Sequence, residues 1–403
     1  MLKEKIEEII KEQRNNLELE KNNISREDLK KIKLYPGFAT IISGIRRCGK
    51  STLLKQILKK EKKFYYINLE DIKLNDFKLE DFIKVDEIFQ KTYGKGGIYF
   101  FDEIQTITNW EKYVRSLADK KSKMLITGSN ASLLSRELGT LLTGRHISRE
   151  LFPFTYKEYL KFTKQKPSKI SLQNYLEEGG FPEYLQFKKT ENLQELLKDV
   201  IMRDVAIRFK IRNTNQLKKI AIYLITNVGK EASYNQLKKI FSVPSIQTII
   251  DYISFFEDAY LLFTIPRFSY SPKKQQTYPK KMYSIDNGLS KASSTSFSKD
   301  KGRMLENTVF QQLRRKHKEI YYFKEKRECD FLIKEKDKIT QAIQVCYILN
   351  EDNQKREIEG LIEALKETKL DRGVILTLDQ EDKIEEQGKI IEIKPMWKWL
   401  LKE

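Results

Sequence analysis

A glycine-framed loop between an apolar strand and an amphipathic helix constrains this chain more than any other feature. The run FATIISG (38–44) is a buried-strand pattern, and KSTLLKQILKK (50–60) sets Leu53, Leu54, Ile57 and Leu58 at helical spacing. Between them stands Gly44-x-x-x-x-Gly49-Lys50-Ser51, the spacing of a phosphate-binding loop in the strand–loop–helix setting it requires. Gly44 and Gly49 let backbone N–H groups turn inward around phosphate oxygens, and the helix N-terminus adds its positive dipole. The expected cradle runs through Ile45, Arg46, Arg47 and Cys48 to Lys50, Ser51 and Thr52. Lys50 is placed to reach the β- and γ-phosphates and the Ser51 hydroxyl to ligate Mg²⁺, so ATP and Mg²⁺ are the expected cofactors. Cys48 is expected to keep a free side chain and no chemistry.

Such a loop needs a metal holder and a water positioner. GGIYFFDEIQ (96–105) is an apolar strand ending in Asp102 and Glu103. Asp102 suits the outer shell of Mg²⁺, and Glu103 suits polarisation of the attacking water. KMLITGSN (123–130) is a third strand, after which Ser129 or Asn130 can sense the γ-phosphate. Arg145 follows Gly144 in the basic stretch LLTGRHISRELFPFTYKEYL (141–160), expected to be flexible. It is the candidate arginine finger, acting on a neighbouring copy's ATP, which implies a homo-oligomer.

At 403 residues the chain predicts two to three domains, and 40% hydrophobic residues supply ample core. A formal charge of +19 attracts polyanions, nucleic acid above all, or serves solubility; charge alone leaves both open. Cys48, Cys329 and Cys346 form no CxxC pair, and His146 and His317 complete too small a set for a zinc site. In MLKEKIEEIIKEQ, Ile6, Ile9 and Ile10 share one helical face among charges, unlike the unbroken apolar core of a signal peptide. No apolar run approaches the ~18 residues of a membrane span. A cytoplasmic setting without membrane contact is expected.

The acid pair, the polar strand end at 127–130 and LFPFTYKEYL resemble the archaeal and bacterial AAA-type P-loop ATPases that carry a winged helix and a C-terminal PD-(D/E)XK nuclease-fold domain. GGFPEYL (179–185), IMRDVAIR (201–208) and YSIDNGL (283–289) add to the resemblance, which runs from about residue 35 onward. It implies an α/β fold: an ASCE/AAA-type parallel sheet, then a winged helix-turn-helix, then a small α/β restriction-endonuclease-like domain. The expected divisions are an N-terminal helical segment (1–33), the ATPase domain (34–170), the winged helix (171–290) and the nuclease-like domain (300–403).

The middle segment supports this order. Ile220, Ile222, Leu224 and Ile225 pack one predicted helix, and Ser233 caps a second carrying Leu237, Ile240 and Phe241. Val243-Pro244-Ser245 ends it and starts a third, with Ile246, Ile249, Ile250, Ile253 and Phe256 as core. The exposed Ser245, Gln247, Thr248 and Asp251 are polar and nearly uncharged. RFSYSPKKQQTYPKK (267–281) supplies cations interleaved with Tyr270 and Tyr278, as in a wing touching phosphates. The alternative is a winged helix that only packs between domains.

In GRMLENTVFQQLRRK (302–316), Leu305, Val309 and Leu313 form a helical stripe beside Glu306, and ECDFLIKEKDKITQAIQVCYI (328–348) reads as two strands. The resemblance places Glu306, Asp330, Gln344 and Cys346 on the nuclease signature, where active members hold Glu, Asp, Glu and Lys. Gln binds Mg²⁺ more weakly than a carboxylate, and Cys supplies no fixed cation. A Cys329–Cys346 disulfide is opposed by strand parity. Trp397 and Trp399 are expected in the core. The expected function is an ATP-hydrolysing, DNA-associated protein whose nuclease-shaped domain cuts poorly or not at all. The alternatives are an ATP-dependent signalling switch that binds a protein partner, and an ATPase-coupled active nuclease.

Overall fold

Helix α1 (Lys3–Leu19) buries Ile6, Ile9 and Ile10, as its periodicity requires, in one apolar cluster with Ile41, Ile67, Phe82, Phe101 and Trp110. Each such side chain contributes roughly 1.5–3 kcal/mol on full burial. This computed structural model describes residues 1–19, 24–130, 142, 144–293 and 300–402. It divides into two compact units, Met1–Leu151 and Phe152–Glu403.

In the first unit β1 (Ala39–Ser43) leads into α2 (Lys50–Leu58), β2 (Phe64–Asn68) into α3 (Asp81–Tyr93), and β3 (Ile98–Asp102) into α4 (Trp110–Asp119). Then come β4 (Met124–Gly128) and β5 (His146–Glu150). The strands form one parallel sheet in the order β2-β3-β4-β1-β5. β1 and β4 are buried at every residue, which is why they read as continuous apolar runs. Strand β5 replaces what the sequence suggested was flexible basic chain. With His146, Ser148, Arg149 and Glu150 it has no apolar alternation, and only backbone pairing with β1, Ala39 opposite His146, makes it an edge strand. Residues 141 and 143 of that stretch lie outside the described residues.

The second unit opens with α5 (Tyr156–Thr163), entered through a reciprocal Thr155–Glu158 capping box. Helices α6 (Lys169–Glu178), α7 (Pro182–Phe187) and α8 (Thr190–Asp199) follow, the last running into π-helical turns at Val200–Ile207. Next come α9 (Thr214–Thr226), β6 (Glu231–Ala232), α10 (Tyr234–Ile240), α11 (Ile246–Asp258), β7 (Leu262–Ile265), α12 (Pro272–Thr277) and β8 (Lys280–Ser284). Their strands form an antiparallel sheet ordered β6-β8-β7. Ser233 and Ser245 cap α10 and α11, accepting from the backbone N–H of Gln236 and Thr248. Not every expected core residue is inside. Ile240 and Ile246 are exposed and Ile222 is half-buried, because α10 stops at Ile240 and Phe241 packs instead against Tyr223, ring centroids 5.3 Å apart.

The chain continues through α13 (Asn287–Ser293) and α14 (Lys301–Lys316), which buries Leu305, Val309 and Leu313. Strands β9 (Ile320–Lys324), β10 (Glu328–Glu335) and β11 (Lys338–Val345), helix α15 (Gln354–Thr368), and strands β12 (Arg372–Thr377), β13 (Asp382–Glu386) and β14 (Lys389–Pro395) precede α16 (Met396–Lys402). The resulting six-stranded mixed sheet has the order β13-β14-β12-β11-β10-β9. Trp399 is buried there, whereas Trp397 is half-buried and donates its indole N–H to Asp379 at 3.0 Å. No helix of the described residues is long and apolar enough to cross a membrane.

The phrases GGFPEYL and YSIDNGL meet one another. Asp286 accepts from the N–H of Gly180 at 2.6 Å and of Leu289 at 3.0 Å. A Cβ on Gly288 would stand 2.2 Å from the Glu178 carbonyl oxygen, so glycine is required by close approach. Burial raises the Asp286 carboxyl to about 6, against the pull of these N–H groups.

Candidate functional site

The phosphate-type loop joins β1 to α2 at the carboxyl edge of the parallel sheet. A Cβ on Gly44 would lie 2.1 Å from the Leu151 carbonyl oxygen, and Gly49 has φ +100°, so both glycines answer to local geometry. Cys48 departs from expectation. It is fully buried, its thiol faces the Leu151 carbonyl at 3.4 Å, and burial above all raises its pKa, which leaves it unreactive.

Lys50 is buried. Its Nζ donates to the carbonyls of Gly44 at 3.1 Å and Ile45 at 3.3 Å, and lies 3.3 Å from Glu103 Oε1. Asp102 ends β3 and accepts from the Ser51 hydroxyl at 3.1 Å and from Thr127 on the intervening β4. Glu103, one residue on, has φ +52°, and its N–H is held by Thr127 Oγ1 at 3.0 Å. That turn divides the pair: Asp102 faces Ser51, and Glu103 faces Lys50.

Their electrostatics diverge accordingly. Burial and the Glu103 charge push the Asp102 carboxyl up, against the Thr127 and Ser51 hydrogen bonds. Burial also works to raise Glu103, but Lys50, the Gln105 amide and Arg46 outweigh it and hold the group below the usual range. Glu103 is therefore ionised and able to accept a proton. Gln105 also reaches Ser129 Oγ at 3.5 Å, which brings the strand end after β4 toward the same place. Ser129 and Asn130 are both buried there. Arg46 pairs with Glu70 at 2.7 Å, Ile45 is buried, and Arg47 takes φ +61°.

Two contributors were missed from sequence. Thr127 lies in the polar strand end at 127–130, but nothing in that stretch gives it a role of its own; only the position of β4 between β1 and β3 makes it a bridge. Arg26, from the N-terminal segment, is 2% exposed and donates through Nη1 to the Cys48 carbonyl at 2.6 Å. An isolated Arg in a charged stretch gives no hint of that. A hydrogen bond from a charged group contributes about 1.5–3 kcal/mol. Arg26→Ala is accordingly expected to loosen the loop and weaken ATP binding about tenfold in a calorimetric titration; unchanged affinity would mean Arg26 only packs.

Arg145 lies elsewhere. It precedes β5, its carbonyl accepts from Ala39 N–H at the start of β1, and its exposed guanidinium pairs with Asp119 at 2.7 Å. Since β1 and β5 are parallel, this is the sheet edge opposite the loop. Within one chain it does not reach that loop.

The second unit gathers Glu306, Asp330, Gln344 and Cys346 along one cleft of about 520 Å³. Gln344 accepts from Asp330 N–H at 3.1 Å and donates to Glu357 at 2.5 Å. Cys346 donates to the Ile348 carbonyl at 3.0 Å, and Cys329 and Cys346 are free thiols. Glu328 also lines the cleft, and Lys281 lies buried behind it. Lys281, expected on a phosphate-touching wing, is instead buried against Glu306, Glu328 and Asp330. Arg267 likewise pairs with Glu325 at 2.9 Å, while Lys273 and Lys274 remain exposed. The strand period explains it: in β8 Lys281 and Tyr283 share one face, and Tyr283 donates to Glu306 at 2.7 Å.

Comparison with known proteins matches an AAA domain to residues 37–160 and two domains of unknown function, DUF8612 and DUF4143, to residues 169–300 and 301–399. An uncharacterized protein of Methanocaldococcus jannaschii, MJ1544, is 38% identical over 419 residues, covering 96% of this chain and 93% of its own. An uncharacterized protein of Haemophilus influenzae is 29% identical over 348 residues, covering 79% of this chain and 85% of its own. AMPPCP-bound DnaA from Aquifex aeolicus is 19% identical and covers 57% of this chain and 85% of its own, with a TM-score of 0.27 that carries no argument.

Proposed function

Since the chain belongs to the same family as the uncharacterized protein MJ1544 of Methanocaldococcus jannaschii and carries an AAA domain, we propose that it binds and hydrolyses ATP and that nucleotide state controls how its second unit handles DNA. The observation that carries the first part is the pairing of the loop with the acid pair: Lys50 beside ionised Glu103, and Ser51 beside Asp102. Lys50 would turn to the β- and γ-phosphates, and Glu103 would accept a proton from the attacking water. Asn130 would sense the γ-phosphate, and Arg145 would serve a neighbouring copy's site.

The Ser51 hydroxyl and Asp102 carboxylate, two oxygens 3.1 Å apart, fit Mg²⁺, which binds few protein oxygens and completes its shell with phosphate and water. When bound, Mg²⁺ neutralises charge on the β- and γ-phosphate oxygens. A cation there would also reverse the upward pressure on Asp102.

For the second unit, the succession α9, α10, α11 and a small antiparallel sheet supports reading 171–290 as a winged helix. Glu306 on α14 with Asp330 and Gln344 on adjacent strands supports reading 300–403 as a nuclease-shaped domain that cuts poorly or not at all. The charge of +19 and the exposed Lys273 and Lys274 favour DNA as partner. The burial of Lys281 and the pairing of Arg267, with Gln247 bonded to Asp251 on α11, favour the second reading, a switch that binds protein. ATPase rates with single-stranded, duplex and branched DNA decide between them. DNA handling predicts stimulated turnover and binding that falls log-linearly with salt. Indifference to DNA with no retention at low salt would leave the protein switch.

A further inference from the structure

Lys281 is a buried cation of the second unit. Its Nζ lies 2.5 Å from Glu328 Oε1, 3.0 Å from Asp330 Oδ1 and 3.3 Å from Glu306 Oε1, and the residue is 1% exposed. The three carboxylates come from α14 and β10, and the ammonium comes from β8 in another sheet. Asp330 and Glu306 each have a further partner besides the ammonium. Asp330 Oδ2 accepts from Val345 N–H at 3.0 Å, and Tyr283 donates to Glu306. Gly229 closes over Glu306 so tightly that a Cβ there would stand 2.6 Å from Oε2. Asp330 also sits where the β9–β10 register slips between Cys329 and Leu332, an irregularity that re-aims side chains.

Burial works against the charge on Lys281, and Glu306, Asp330 and Glu328 outweigh it, holding the ammonium protonated. Removing one partner of such a buried cluster leaves charges uncompensated, so the cation is as necessary to the acids as they are to it. A divalent ion serving three carboxylates would need the point the ammonium takes. Among the described residues, no group of three or more His, Cys, Asp or Glu side chains is placed to hold a metal.

We propose that Lys281 is the resident cation of this acid cluster, occupying the place a divalent metal would take and closing the cluster to metal. The residues thus do not fit Mg²⁺, and metal-dependent phosphodiester cleavage has no centre here. Cys346, in the signature's lysine position, lies in the cleft that these acids line, so the cation is supplied from a different strand and a different sheet. The proposal rests on the nuclease-shaped reading only in naming the position a metal position; the ion cluster stands without it.

Mn²⁺ titrations of the full chain, followed by loss of the free-ion electron paramagnetic resonance signal without nucleotide, test it. Wild type and Asp330→Asn are expected to take up Mn²⁺ identically. Lys281→Met is expected to gain an ion at least about tenfold more tightly held than any on wild type, and Lys281→Met with Asp330→Asn to lose it. Wild type binding Mn²⁺ about tenfold or more tightly than Asp330→Asn would overturn the proposal, as would a folded Lys281→Met that gains nothing. Should Lys281→Met not fold, the first comparison alone decides. None of these outcomes bears on DNA retention, so failure here and failure of the DNA reading are separate results.

Discussion

Glu103→Gln is expected to keep ATP bound and to lower turnover by about 10²- to 10⁴-fold, the usual contribution of a positioned general base. The reason is local. The amide preserves the shape at φ +52° and leaves the backbone bond to Thr127 intact, but it cannot accept the proton that the ionised carboxylate takes. The Lys50 contact at 3.3 Å loses its charge complement, so the lysine is freer to engage phosphate and affinity is expected to hold or rise. Equilibrium binding of a fluorescent ATP analogue together with single-turnover hydrolysis separates the two effects. Hydrolysis at the wild-type rate would remove Glu103 as the base.

Gly180→Ala is expected to produce a large loss of stability in the second unit. Its Cβ would stand 2.4 Å from the Phe154 carbonyl oxygen and 2.8 Å from the Phe154 nitrogen. Neither atom can yield, because Phe154 N–H donates to the Gly180 carbonyl at 2.7 Å and Tyr175 donates to the Phe154 carbonyl at 2.7 Å. The Gly180 N–H is meanwhile fixed on Asp286. Overpacking typically costs about 1–3 kcal/mol, and contact with backbone that cannot yield places this substitution at the upper end. In a unit this large that corresponds to a melting temperature lower by roughly 6–12 °C. Melting of the full chain checks it, and a shift under about 2 °C would show that the turn relaxes.

That junction shows why some sequence signals were visible but unreadable. GGFPEYL and YSIDNGL stand out as phrases, yet nothing in either says that Gly180 and Asp286, far apart in the chain, share a hydrogen bond. Strands β1, β3 and β4 were legible because burial on both faces leaves long apolar runs. Strand β5 was not, since an edge strand with polar side chains is held by backbone pairing, which no side-chain pattern records. Lys281 was read as a solvated wing cation for a related reason. Lysine is almost always exposed, and only the acids arriving from α14 and β10 make its burial tolerable.

Local chemistry along the chain by itself determined the phosphate loop, the acid pair behind β3 and the helical stripes of α1, α2 and α14, because neighbouring residues at fixed spacing carry each of them. Tertiary structure alone decided that Thr127 holds both members of the acid pair, that Arg26 braces the loop, that Arg145 stands at the opposite sheet edge, and that Lys281 fills the acid cluster. Each of those depends on charges and hydrogen-bonding groups brought together from distant segments, and the cost of burying a polar group is settled only once its partner has arrived.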